Sequence, residues 1–201
     1  KPKFPQDDKH PVVLVNRNQI DKFCEWLTEY ERDKGQVGFN LRYELPTDKD
    51  WSFAAGLKVE KGSSPAERDR LVKGVFPWGN NWPPEKRAVN IADLSALSWL
   101  SESAIVRSYE DGFSHTSPVG SFNPNDKGFY DLAGNVWEWV KDSYGGKSNF
   151  KEWSVARGGG YDSNLEQHFL SSYRSVQPLG QRGVSYGFRI VLVIEAQGEN
   201  N

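Results

Sequence analysis

Gly128-Phe129-Tyr130-Asp131-Leu132-Ala133-Gly134-Asn135-Val136-Trp137-Glu138-Trp139-Val140 is the stretch from which the fold is read. Two tryptophans, a tyrosine and a phenylalanine surround two carboxylates and an amide, and two glycines let the backbone turn sharply. A purely structural strand has no use for Asp131 and Glu138 at a spacing of seven. Carboxylates and turned-in carbonyls beside aromatic packing suit a loop folded round a hard cation, because calcium takes oxygens from side chains and main chain together. A surface turn feeding a buried aromatic strand is the competing reading of the same residues.

Outside this stretch, 201 residues suffice for one well-buried core. With 8 Trp, 19 Gly and 11 Pro, aromatic residues alternate with turns, which indicates a loop-rich α+β domain rather than a helical bundle or a doubly wound sheet. Lys and Arg number 25 against 27 Asp and Glu, so no bias toward polyanions exists and nucleic acid is not an expected partner. No apolar run approaches the ~20 residues of a membrane-spanning helix, and Lys1-Pro2-Lys3-Phe4-Pro5 does not read as a signal peptide. Cys24 is the sole cysteine, which excludes an internal disulfide and a cysteine-based zinc cage and leaves the compartment undecided. The absence of methionine suggests a piece of a longer protein.

Residues 1–12 are polar and proline-punctuated and read as an arm, residues 13–195 as the domain, and residues 196–201 as a tail. From Asn18, the apolar positions Ile20, Phe23, Cys24 and Leu27 recur at helical spacing, predicting an amphipathic helix that ends before Gly35. Cys24 lies in that stripe as a small buried hydrophobe. Phe39, Leu41, Tyr43 and Leu45 alternate as in a half-buried strand ended by Pro46. Thr47 three residues before Asp50 resembles a capping box and predicts a second helix up to Gly56. Residues 57–75 read as a surface loop or short helix, and the proline- and tryptophan-rich residues 76–84 as a loop packed on the core edge. Residues 110–113 and 117–122 read as turns bordering short strands, and residues 186–194 as a strand. The glycine triplet at 158–160 lacks the Lys and Ser/Thr of a phosphate-binding loop.

Taken in order, Leu45-Pro46-Thr47 with Trp51, Phe76-Pro77-Trp78-Gly79, Asn90-Ile91, Asp111-Gly112-Phe113, Pro118-Val119-Gly120, residues 128–139, Arg157-Gly158-Gly159 and Gly187-Phe188-Arg189 resemble the formylglycine-generating enzyme, or sulfatase-modifying factor, family. The resemblance covers about residues 10–194 and implies a variant C-type-lectin-like α+β fold with little regular structure. It implies two structural calcium sites. One would use the side chains of Asn90 and Asp111 with the carbonyls of Ile91 and Phe113. The other would use the side chains of Asp131 and Glu138 with the carbonyls of Gly134 and Val136.

The family's copper-binding cysteines, spaced C-x-x-x-x-C, do not carry over: Ser163 falls at the first and His168, or a residue two positions away where the loop is shorter, at the second. A serine hydroxyl is no soft copper ligand, so a catalytic copper centre is not expected. The expected role is a non-catalytic recognition module binding a protein or small-molecule ligand. Its candidate residues are Tyr161, Asp162, Asn164, Glu166, Gln167, His168, Tyr173, Gln177, Gln181, Arg182 and Ser185, rigid aromatics mixed with adaptable polar groups. In the family's variant form retroelements diversify this segment, and members also occur as C-terminal sensors of bacterial signalling proteins. A copper-dependent oxidase acting on sulfatase cysteines is the alternative.

Overall fold

The computed structural model describes residues 1–147 and 149–195; the tail at 196–201 lies outside the described residues. Asn16 caps helix α1 (Arg17–Asp33), its side chain accepting from the Gln19 amide while the Gln19 side chain returns to the Asn16 amide. Ile20, Cys24 and Thr28 form the buried edge, whereas Phe23, expected in the core stripe, is 39% exposed. The Thr28 hydroxyl explains the rotation. It donates to the Cys24 carbonyl at 2.7 Å and accepts from the Tyr43 amide at 2.9 Å, docking the helix along its i,i+4 ridge.

Strand β1 (Leu41–Glu44) precedes α2 (Asp48–Ala54), whose capping box pairs Thr47 with Asp50 as the sequence predicts. Helix α3 (Pro65–Arg68) is a single turn. The segment around it is not merely surface, because Arg68 and the Glu60 side chain both point inward and are buried.

Strands β2 (Trp137–Ser143), β3 (Ser154–Arg157), β4 (Ser175–Gln177) and β5 (Tyr186–Gly187) form a sheet in the order β4-β3-β2-β5. Strand β6 (Val191–Ile194) leaves it to pair antiparallel with β1. The expected continuous strand over 186–194 is therefore two strands in two sheets. Residues 188–190 break it, with Arg189 turned onto Glu138. The turns at 110–113 and 117–122 border no strand among the described residues. Their backbone is held by side chains instead, as where Asn135 gives and receives hydrogen bonds with the Ser117 backbone at 3.1 Å.

The loop at 76–84 packs on the core as expected. Phe76 is buried with Val89, Ile91 and Phe169, and Trp78 and Trp82 lie against that cluster. A second cluster joins α1 to the sheet through Ile20, Cys24, Leu45, Trp137 and Trp139, and a third joins α2 to it through Trp51, Val140 and Val155.

Between these apolar clusters lies a charged centre. The buried Asp48 carboxylate receives Arg68 and Arg174 at 2.9 Å and also pairs with Arg157, while Arg174 grips Glu60 at 2.7 and 2.8 Å. Burial alone would raise the Asp48 carboxyl, but Arg157 and Arg174 outweigh it and hold it at about 2.

Candidate functional site

The stretch at 128–140 is a tight turn that feeds the buried first half of strand β2. Asp131 (φ 54), Gly134 (φ 68) and Asn135 (φ 57) take left-handed conformations, so the chain folds back on itself before entering the strand. At Gly134 only glycine fits, because a Cβ there would stand 2.1 Å from the Asn90 carbonyl oxygen. That crossing sets the loop against residues 90–93, where the Asn135 amide donates to the Asn90 carbonyl at 2.9 Å.

Asn90, Ile91, Asp111 and Phe113 meet in one pair of loops. Asp111 accepts from the Ile91 amide at 2.9 Å and the Phe113 amide at 2.7 Å, and Asp93 accepts from the Asp111 amide. Asn90 is fully buried; its Nδ2 donates to the His115 carbonyl at 2.9 Å, while its Oδ1 is buried with no partner. The carbonyls of Ile91 and Phe113 accept no hydrogen bond among the described residues. Burial, and then neighbouring Asp93, push the Asp111 carboxyl up to about 7 against the hydrogen bonds it accepts. An orphaned amide oxygen, two carbonyls that accept no hydrogen bond and a half-buried carboxylate suit a hard divalent cation. Among the described residues no group of three or more His, Cys, Asp or Glu is gathered for a metal, so such a site rests on the Asp111 carboxylate together with amide and carbonyl oxygens.

The other implied site differs. Both Glu138 oxygens are engaged: Oε1 accepts from Arg189 at 2.6 Å, and Oε2 from Arg189 at 2.7 Å and the Trp51 indole at 2.8 Å. Asp131 accepts from the Gly120 amide at 2.7 Å, and burial, then Glu138, raise its carboxyl. Both acids line a cavity of about 460 Å³ together with Arg189 and Phe188. Glu138 can serve a cation there only by sharing its carboxylate with Arg189.

The expected ligand-binding residues divide in space. Trp137 is the centre of one group, with ring centroids 5.5 Å to His168, 5.9 Å to Tyr173 and 6.2 Å to Tyr186. Asp162 Oδ1, Trp137 and Ser185 converge within 3.0–3.2 Å of where a Cβ on Gly160 would stand, and Asp162 is hydrogen-bonded to Ser185. Gln177 donates to Ser175 at 2.9 Å, and Ser175 meets Tyr186, so Gln177 joins the same patch. Burial lowers the His168 imidazole, and its Nδ1 is buried without a partner. Glu166 and Gln167 are exposed on the 3-10 turn Glu166–Phe169, Asn164 is half-buried, and Gln181 bonds within its own turn to the Arg182 carbonyl at 3.1 Å.

Tyr161 stands apart. It is 2% exposed and packs among Phe4, Trp99 and His115, where the N-terminal arm is tied down by Gln6 and His10 on Thr116. It is a core residue and does not lie on a binding surface. Buried Trp137 and Ser175 and half-buried Tyr186 pack beneath the His168 and Tyr173 group, and in the sequence only the Trp137-Glu138-Trp139 alternation marks them, as strand packing. Ser163, at the first cysteine position, is buried and accepts from the Gly160 amide at 3.3 Å.

The family model for the sulfatase-modifying factor enzyme 1-like domain matches residues 1–194. The chain is 31% identical over 133 residues to the formylglycine-generating enzyme of Bos taurus, covering 66% of this chain and 27% of that protein. It is 34% identical over 135 residues to the inactive C-alpha-formylglycine-generating enzyme 2 of Bos taurus, covering 67% and 33%. The chain thus spans about a third or less of the length of these relatives. Among solved structures, PvdO from Pseudomonas aeruginosa is similar with a TM-score of 0.62 and 25% identity over 94% of this chain and 64% of that one. Treponema denticola variable protein 1 has a TM-score of 0.62 at 20% identity, over 94% and 73%, a likeness of fold. With these matches laid over an α+β, loop-rich architecture of the C-type-lectin type, the chain belongs to the sulfatase-modifying factor enzyme 1-like domain family.

Proposed function

We propose that this domain is a non-catalytic recognition module, held in shape by calcium, that binds its ligand through the exposed and half-buried residues Asp162, His168, Tyr173 and Gln177 that lie over buried Trp137. The observation that carries the reading is the chemistry at the two positions of the family's thiols. A buried serine hydroxyl and a histidine with a lowered pKa stand there, and the one cysteine is buried on α1, packed in the core cluster with Ile20 and Leu45. Thiolates bind copper as soft ligands, and neither residue replaces that property. The likeness to an inactive relative supports the same reading.

In place of chemistry the segment offers Asp162, His168, Tyr173, Gln177 and Ser185 gathered about a tryptophan on a rigid sheet, an arrangement suited to a protein or small-molecule ligand. Calcium would be held chiefly by Asn90, Ile91, Asp111 and Phe113, where free oxygens remain. Its role would be to neutralise Asp111 and pin two loops beneath the recognition surface. Retroelement diversification of residues 161–186 is one origin for such a surface; a template repeat beside the gene, differing at adenine positions, would establish it.

The test is a copper(I) titration under reducing conditions. The expected result is no tight stoichiometric binding. Tight binding lost in His168→Ala would overturn the reading in favour of the copper-dependent oxidase.

A further inference from the structure

A cleft of about 780 Å³ lies outside residues 161–186 and takes no part in the recognition surface. Its size falls within the range of ligand-sized clefts, about 300–1,000 Å³. Trp78 provides an aromatic wall, stacked on buried Phe76 at 4.9 Å with 3° between the planes and fixed by its indole hydrogen bond to the Asn81 carbonyl at 3.1 Å. The backbone beneath is also set: Phe76 and Gly79 exchange hydrogen bonds at 2.7 and 3.0 Å, and Asn125 holds the opposite loop by donating to the Ala54 carbonyl at 2.7 Å.

On this fixed frame several polar ends are left open. The side chains of Asn80, Lys86, Asn123 and Asp126 line the cleft, and none has a hydrogen-bond or ion-pair partner among the described residues. Two carboxamides supply both donors and acceptors, and the ammonium and carboxylate add one strong donor group and one strong acceptor. The charges of the lining cancel, with Glu85 and Asp126 against Lys86 and Lys127. A phosphate, a nucleotide or a cationic ligand would meet no complementary field there. A lipid would leave the amides and charges desolvated without partners.

The ligand chemistry that meets all three conditions is neutral, dense in hydroxyls and flat on one apolar face. We propose that the cleft at Trp78 is a second binding site, for a neutral saccharide. The C–H face of a pyranose ring would lie against the indole, whose face carries negative quadrupolar charge. Its hydroxyls would pair with the open amides of Asn80 and Asn123 and with Asp126. Because these groups are mounted on a preformed frame, little ordering is needed on binding.

The experiment is an NMR titration of the isotopically labelled domain with cellotriose, maltotriose, chitotriose and mannotriose, with glucose 6-phosphate and a sulfated disaccharide as charged controls. The site predicts saturable shifts of the Trp78 indole and of the Asn80 and Asn123 side-chain amides with at least one neutral sugar. It also predicts roughly tenfold weaker binding in the N123A/D126A double variant. Both substituted side chains lack intramolecular partners, so the melting temperature of that variant should be unchanged. No saturable shift with any neutral sugar, stronger binding of a charged control, or undiminished affinity in the double variant would each overturn the assignment.

Discussion

Asp48 and Arg157 lie 109 residues apart in sequence and pair side chain to side chain with no solvent on either. Around that pair Arg68 and Arg174 complete a charged centre on which α2, α3, β3 and the segment preceding β4 all converge. Replacing the carboxylate would leave the Arg68 and Arg157 guanidiniums in the interior without an anionic partner, while Arg174 would keep Glu60. Asp48→Asn should therefore cost about 3–5 kcal/mol, read as a lowered urea midpoint, because a buried ion left without its partner keeps its desolvation cost.

The same carboxyl predicts a pH dependence. Its value in the folded protein, about 2, lies below the ordinary 3.8, so its contribution is complete above about pH 4 and is lost as pH falls toward 2. The shift corresponds to about 2 kcal/mol. Urea denaturation between pH 5 and 2 should show that fall in the natural protein, with a smaller fall over the same window in Asp48→Asn.

The crossing of the loop at Gly134 over Asn90 admits no side chain. Gly134→Ala should destabilise by more than about 3 kcal/mol, since backbone must move and a left-handed φ is strained as well. Gly128 is also left-handed, at φ 82, but nothing lies within 4 Å of its Cβ position. Gly128→Ala should cost only the conformational term, about 1–2 kcal/mol. Thermal melts of the two variants separate close approach from backbone preference.

Within the expected ligand-binding set, burial divides core from surface. Tyr161→Ala should lower stability by about 3–5 kcal/mol, as large-to-small changes at buried aromatics do. Glu166→Ala and Gln167→Ala, at exposed positions, should stay within about 0.5 kcal/mol of the natural protein. Calorimetric unfolding of the three variants checks the division.

Calcium supplies a further prediction. Chelation should lower the melting temperature and added calcium restore it; at a hundredfold excess over Kd the gain is about 2.7 kcal/mol. Asn90→Ala should remove most of that response by deleting the orphaned oxygen. An identical melt with and without chelator would show that protein contacts alone hold these loops.

What the sequence made legible was local. The Thr47/Asp50 capping box, α1 and the packing of the tryptophan-rich loop follow from residues a few positions apart, and the ordered motifs led to the family. The face that α1 buries was misread because Thr28, a polar residue, takes the core position through its hydroxyl. The charged centre was invisible because its partners come from four segments, and nothing in residues 57–75 marks Arg68 and Glu60 as interior. Tyr161 looked like a surface aromatic because its neighbours Phe4, Trp99 and His115 are remote in sequence.

The central claim is that Ser163 and His168 end the family's oxidative chemistry and leave recognition. The most direct measurement is incubation of the domain with a Cys-x-Pro-x-Arg peptide, copper and oxygen, followed by capture of aldehyde with a hydrazide probe. No aldehyde above the protein-free background is predicted. Turnover of the peptide to its formylglycine product would contradict the account.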